Sequence, residues 1–281
     1  MLTPSQTRTF ETSGLLRLPA MLRTETADRH RENILRLARR SGAWKDGVWH
    51  RRSCAEDGRL LKRIRTQLGS FVSPEVHQLM VELVGRRPIM PWTDQPELLF
   101  SMPRSVGPEQ RSTTAAPPET APSEPRVHRH FSRHVDIERL PERGVTGVQF
   151  FTFLDTVEPG GGATVAVTGS HRLVNDGTRM RFQEVKAELA RRPFFLDLFS
   201  HDATPEDTLG AAGRADGVDL KVVELVGKPG DVYLMDLGVL HSRSPNTGEM
   251  ARMMVTQRFL LESVRHQVKR RYFGQATVGA P

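Results

Sequence analysis

The pattern of apolar and polar positions divides the chain into two textures. Up to about residue 85 the apolar residues recur at helical spacing. Thr3 and Pro4 open a short helix over residues 3–13: the threonine can cap it, and proline suits a first turn whose N–H groups lack partners. Gly14 ends that helix, and Leu15-Leu16-Arg17-Leu18-Pro19 reads as a short strand. A longer helix is predicted from about Thr26 to Arg40, with Ile34, Leu35, Leu37 and Ala38 on its apolar side and Gly42 beyond its end. Ser73-Pro74-Glu75 starts another, which carries Val76, Leu79, Met80 and Leu83 and stops at Gly85.

Beyond Gly85 the pattern turns extended. Glu97 to Met102 reads as a strand. Residues 103–125 hold six prolines among Ser, Thr, Glu and Ala, too polar and too broken to bury a core, so a mobile loop is expected there. Either a flap over a site or a surface insertion fits it. Val145–Leu154, Ala163–Val167, Val222–Val226, Asp231–Leu237 and Met250–Leu261 read as strands, and residues 178–200 as helix. Short strands separated by Gly and Pro turns indicate a sandwich or jelly roll, not a parallel α/β sheet. The expectation is one domain over residues 1–281, mainly β with flanking α. It has an N-terminal helical part over 1–95 and a β core over 96–265, with the loop 103–125 and a helical insertion at about 178–220.

Composition narrows the function classes. The 281 residues carry 40 Lys and Arg against 33 Asp and Glu, a formal charge of +7. Nucleic acid, an anionic membrane or an acidic small molecule could answer such a balance. The arginines at 29, 31, 36, 39 and 40 lie on a predicted helix, where a solvated face explains them, and no nucleic-acid motif accompanies them. Cys54 is the single cysteine, which excludes an internal disulfide and suits a reducing compartment. No apolar run approaches the roughly 18 residues of a membrane span. A cytoplasmic protein acting on a small molecule, without nucleic-acid or membrane partners, is expected; the oligomeric state is not legible.

The candidate chemistry begins at His134-Val135-Asp136. In an extended segment residues i and i+2 face the same way, so an imidazole and a carboxylate converge. By itself such a triplet is close to a chance match among ten histidines. His241 raises the signal, because it follows the strand Asp231–Leu237 and precedes a turn over Ser242–Gly248. Two histidines and one carboxylate on one face leave the opposite face of an octahedral ion open, as in non-heme Fe(II) oxygenases. Arg252, eleven residues past His241, adds a guanidinium able to hold a carboxylate bidentately. Arg258, at an even offset on the same predicted strand, competes for that role, and the interval from His241 favours Arg252.

These residues lie in a wider pattern. It runs from Leu2-Thr3, Phe10 and Gly14–Pro19 through His134-Val135-Asp136, Phe151–Asp155, Gly161-Gly162-Ala163-Thr164 and Gly169-Ser170-His171-Arg172 to Gly230-Asp231, His241 and Arg252. In this the chain resembles the phytanoyl-CoA dioxygenase family of Fe(II)/2-oxoglutarate-dependent oxygenases. The resemblance implies a double-stranded β-helix, a cupin-like jelly roll, with the N-terminal helices packed outside it. It implies His134, Asp136 and His241 as Fe(II) ligands and catalytic centre, with O2 and 2-oxoglutarate as cosubstrates. Arg252 would pair with the distal carboxylate of 2-oxoglutarate, and Phe151 and Thr164 would lie near it. Relatives often carry Ser two residues past the second histidine; here Arg243 stands there, flanked by Ser242 and Ser244, which leaves a serine contact open. Related halogenases lack the carboxylate, so Asp136 favours hydroxylation or another two-electron oxidation, with release of succinate and CO2.

Other readings stay beside this one. His171 is read as packed in its turn, not as a ligand. His128 and His130 with Arg126, Arg129 and Arg133 form either an anion-binding patch or a solvated strand edge. Trp44, Trp49 and Trp92 are read as core or pocket walls. A cupin-like metal enzyme that does not use 2-oxoglutarate, or a non-catalytic small-molecule-binding protein of the same fold, are the competing functions.

Overall fold

Thr3 caps the first helix, α1 (Pro4–Ser13), in the way its sequence predicts: its hydroxyl accepts the Gln6 N–H, and the Gln6 side chain accepts the Thr3 N–H. Gly14, at φ 72°, ends the helix in the left-handed region, where a side chain would be strained. The computed structural model describes residues 1–50, 54–65, 68–102, 144–174, 182–199 and 208–265. His134, Asp136, the loop 103–125 and the patch at 126–133 lie outside the described residues.

After β1 (Leu15–Leu18) comes α2 (Thr24–Ser41), which buries Ile34, Leu35, Leu37 and Ala38 and leaves Arg29, Arg36, Arg39 and Arg40 exposed. Each large aliphatic side chain so buried contributes roughly 1.5–3 kcal/mol, which is what docks the helix. It starts two residues earlier than its periodicity suggests, behind Arg23, which makes no side-chain cap. A small hairpin, β2 (Trp44–Lys45) and β3 (Val48–Trp49), and the helix α3 (Cys54–Arg65) follow. Neither was evident from periodicity. Helix α4 (Pro74–Leu83) is capped by Ser73 and buries Val76, Leu79, Met80 and Leu83, as predicted.

The β core has two antiparallel sheets. The larger contains β4 (Ile89–Pro91), β5 (Glu97–Ser101), β6 (Gly147–Phe153), β10 (Val232–Asp236) and β12 (Arg252–Leu261), together with β1. Its order is β1-β10-β6-β12-β4, and β5 also pairs with β12. Strands from the N-terminal part therefore complete the sheet, which interleaves the helical part with the β core. The smaller sheet has the order β11-β7-β9-β8, from β7 (Thr164–Thr168), β8 (Ala212–Ala215), β9 (Val218–Glu224) and β11 (Leu240–Arg243). This is the jelly-roll arrangement expected.

Strand alternation sorts the side chains into three apolar layers. Val148, Phe150, Leu234, Met253 and Val255 face outward from the large sheet onto α2, α4 and their neighbours. Phe151, Phe153, Tyr233, Met235, Met254 and Ala166 lie between the two sheets. Val165, Val167, Leu220, Val222 and Leu240 face outward from the small sheet. They are covered by α5 (His171–Val174), α6 (Phe182–Leu189) and α7 (Pro193–Leu198), which supply Val174, Val185, Leu189 and Phe195. Among the described residues of the helical insertion expected at about 178–220, Phe182–Leu189 and Pro193–Leu198 are helical. The end of that stretch forms the β8–β9 hairpin, where the left-handed residues Asp216 and Gly217 make a tight turn. Trp49 is buried in the core and meets Trp44 and Phe100 edge-on, so these tryptophans serve packing.

Candidate functional site

His241 lies within a strand, not directly before a turn as its sequence suggests: β11 continues to Arg243, and the chain bends only at 248–250. Two features place that strand. Ser170 accepts the Leu240 N–H at 2.8 Å and donates to the Val167 carbonyl at 2.7 Å, which ties the Gly-Ser-His turn to the residue before His241. Gly169, at φ 82°, permits this approach, because a Cβ there would stand 2.3 Å from the Asp219 carbonyl oxygen. His171 packs in the turn as expected, with its Nε2 3.1 Å from the Glu11 carbonyl.

The register of β11 on β7 sets His241 opposite Ala166, so the imidazole faces the space between the sheets. The ring is buried, and Nδ1 lies 3.0 Å from the Val239 carbonyl. A carbonyl only accepts, so the proton resides on Nδ1 and the Nε2 lone pair becomes the ligating position. Among the described residues no cluster of three metal-binding side chains occurs; two of the three expected ligands, His134 and Asp136, lie outside them. Thr164 is opposite Arg243 and shares this inward face. Phe151, fully buried, sits between Tyr233 and Thr256 in the large sheet and faces the same interior.

Arg252 begins β12 and is only 4% exposed. Its side chain shares a face with Met254, hence the interior. Its guanidinium donates to the Gly162 carbonyl, while Nε is buried without a partner. Burial first, and the positive charge of Arg243 second, bring its pKa down from the ordinary guanidinium value to about 10. Arg258, the rival for its role, reaches the Glu97 carboxylate at 3.6 Å. Among the described residues Arg252 has no carboxylate partner. A buried cation so placed is a fit for an anion supplied from outside the chain.

The serines flanking Arg243 are otherwise engaged. Ser242 alternates with His241 and faces the opposite side, with Val165 as its partner. Ser244 donates to the Ala163 carbonyl at 2.8 Å and stands 3.4 Å from Glu224. Arg243 itself is exposed, on the same side of β11 as His241. Two inward polar residues escaped sequence reasoning. Gln149 donates from Nε2 to Thr256 Oγ1 at 3.0 Å, and its Oε1 is buried without a partner. Ser101 pairs across the sheet with Arg252, and its hydroxyl is also buried without a partner. A cavity of about 540 Å³ lies elsewhere, near Met21, Thr26, Phe71 and Gly230, and none of the site residues lines it.

With this geometry the comparisons converge. The family model for phytanoyl-CoA dioxygenase (PhyH) matches residues 10–254, nearly the whole chain. The chain belongs to the phytanoyl-CoA dioxygenase family. The resemblance read from the sequence is thus borne out, and with it an oxygenase-type enzyme of the Fe(II)/2-oxoglutarate-dependent kind. Three solved structures are similar in fold. One is SnoK from nogalamycin biosynthesis, a non-heme alpha-ketoglutarate-dependent carbocyclase, at 16% identity and TM-score 0.52 over 92% of this chain and 84% of that one. Another is EctD from S. alaskensis with bound Fe, at 16% and 0.52 over 93% and 78%. The third is HygX from Streptomyces hygroscopicus with nickel and 2-oxoglutarate bound, at 15% and 0.51 over 93% and 88%. At these identities the likeness carries the PhyH jelly roll and nothing finer. No curated protein matches the chain. Among the described residues no helix is long and apolar enough to cross a membrane.

Proposed function

We propose that this protein is an Fe(II)/2-oxoglutarate-dependent dioxygenase that hydroxylates, or otherwise oxidises, an aliphatic C–H of a small anionic metabolite or natural-product intermediate. The observation that carries the reading is Arg252: a guanidinium buried between the sheets and, among the described residues, without a carboxylate, on the strand that follows His241. His134, Asp136 and His241 would hold the iron. Iron with 2-oxoglutarate supplies the oxidising power: one O2 and one 2-oxoglutarate are consumed, succinate and CO2 leave, and the substrate gains one oxygen atom. The chain does the rest. His241 keeps its Nδ1 proton on the Val239 carbonyl and so presents Nε2 inward. Arg252 would bind the distal carboxylate, in a site dry enough for that charge pair to be strong. Phe151 would wall the cosubstrate from water, and Thr164 would stand beside it. The formal charge of +7 and the exposed Arg243 near Arg252 favour an anionic substrate. The single cysteine favours a reducing, cytoplasmic setting.

The test is succinate release by the Fe(II)-loaded protein with 2-oxoglutarate and a panel of carboxylic acids, amino acids, nucleotides and acyl thioesters. One anionic class is expected to stimulate succinate formation in step with an oxygenated product. If iron and 2-oxoglutarate bind but nothing in the panel raises turnover, the catalytic reading gives way to that of a binding protein. If an oxygenated product forms without 2-oxoglutarate, and Arg252→Ala leaves that formation intact, a metal enzyme that does not use 2-oxoglutarate replaces it.

A further inference from the structure

Among the described residues, two buried donors stand side by side with nothing to accept from them. Ser101 ends β5 and is in direct register with Arg252 at the start of β12. Antiparallel partners share a face, and Leu99 and Met254 on the same alternation pack between the sheets, so both side chains point into that space. Ser101 Oγ and Arg252 Nε are each buried and each without a hydrogen-bond partner. Both also approach Gly162. Arg252 donates to its carbonyl, and a Cβ built on Gly162 would lie 2.9 Å from Ser101 Oγ. Gly162, at φ 77°, is thereby the floor of a small cradle that a side chain would fill.

A guanidinium has no acceptor, and a serine hydroxyl needs one for its proton. Buried polar groups in folded chains are rarely left unpaired, so two adjacent orphan donors mark where an acceptor is meant to sit. A carboxylate suits them: two oxygens, acceptor-only, able to take the guanidinium on one side and a hydroxyl on the other. The alternatives are engaged or misdirected. Ser244 is spent on Ala163, Ser242 faces the other side of β11, and Arg243 occupies the place where relatives carry a serine.

We propose that Ser101 is the positioning hydroxyl of the cosubstrate site, donating to the distal carboxylate of 2-oxoglutarate beside Arg252. The proposal rests on the reading of the protein as a 2-oxoglutarate enzyme. It moves a contact that relatives draw from the strand of the second histidine onto β5, in the opposite sheet. Ser101 takes no part in the chemistry; it fixes the far end of the cosubstrate and, through it, the keto-acid end.

The test is anaerobic titration calorimetry of the Fe(II)-loaded protein with 2-oxoglutarate and with 2-oxobutyrate, a keto acid that lacks the distal carboxylate. Ser101→Ala is expected to weaken 2-oxoglutarate about ten- to a hundredfold, the loss of one hydrogen bond to a charged group, and to leave 2-oxobutyrate unchanged. Ser101→Thr, which keeps the hydroxyl, should restore most of the 2-oxoglutarate affinity. If wild-type protein binds no 2-oxoglutarate, the cosubstrate reading itself fails. If wild type binds it and Arg252→Met loses it, but Ser101→Ala binds as wild type does, the Ser101 assignment alone is overturned. Equal weakening of both keto acids would also overturn it, since that marks a structural effect.

Discussion

Arg252→Met separates a binding residue from a structural one, because the two roles predict opposite changes in the unliganded protein. Burial and the Arg243 charge bring the guanidinium down from its ordinary value to about 10. At about 1.4 kcal/mol per pKa unit, keeping it protonated costs the folded state about 3 kcal/mol. The sign follows from the direction of the shift. A base whose folded pKa lies below its unfolded value is penalised when charged; the cost is present in full below about 10 and is relieved as pH rises from there toward the ordinary guanidinium value. Methionine removes that cost but strands the Gly162 carbonyl, at about 1–3 kcal/mol. The unliganded variant should therefore range from unchanged to about 2 kcal/mol more stable. In wild type, 2-oxoglutarate at about a hundred times its Kd adds about 2.7 kcal/mol, or roughly 5–10 °C in Tm for a chain of this size. In the variant that increment should vanish. Thermal melts of the metal-loaded protein with and without 2-oxoglutarate read both quantities. A variant that loses more than about 3 kcal/mol unliganded, yet keeps its ligand-induced shift, would mark Arg252 as structural and not as the 2-oxoglutarate partner.

The other predictions concern what holds the site in place. Asp231, 1% exposed, accepts from the Ala20 N–H at 3.0 Å, Arg17 at 2.9 Å and the Lys228 N–H at 3.4 Å. Burial alone would raise its pKa; the three donors outweigh it and hold the carboxyl below its ordinary 3.8. Its contribution is present above the ordinary carboxylate range and is lost as pH falls through the depressed folded value. Asp231→Asn should cost about 2–3 kcal/mol at neutral pH, by urea denaturation, and flatten the acid limb of the stability profile. Gly169→Ala should cost about 2 kcal/mol or more and weaken iron binding measured by competition with a chelator, since the turn that anchors Leu240 must move. Unchanged iron affinity in that variant would show that the turn does not position His241.

Much of this architecture is legible in the sequence because local chemistry and tertiary packing agree there. Thr3, Ser73, Gly14 and Gly42 cap helices where their types predict, and the apolar faces of α2 and α4 are the faces buried. The hairpins and α3 were not legible: β2 and β3 have two residues each and are held by the packing of Trp49 on Phe100, which no local pattern encodes. The β8–β9 hairpin is masked by the helical composition that precedes it. At the site, the interval from His241 to Arg252 was legible, and the structure adds that among the described residues Arg252 is buried without a carboxylate partner while Arg258 meets Glu97. Ser101 and Gln149 were not, because their significance lies in register. Nothing in the string of residues says that Ser101 lies opposite Arg252.

In the proposed function a metal is held by two histidines and a carboxylate from distant parts of the chain. The most direct measurement of that site is Fe(II) stoichiometry and affinity under anaerobic conditions, for wild type and for His134→Ala, Asp136→Ala and His241→Ala. The account predicts one Fe(II) per chain in wild type, loss of tight binding in each variant, and 2-oxoglutarate binding to Arg252 that strengthens when the metal is present. Iron bound equally well by all four proteins would contradict it.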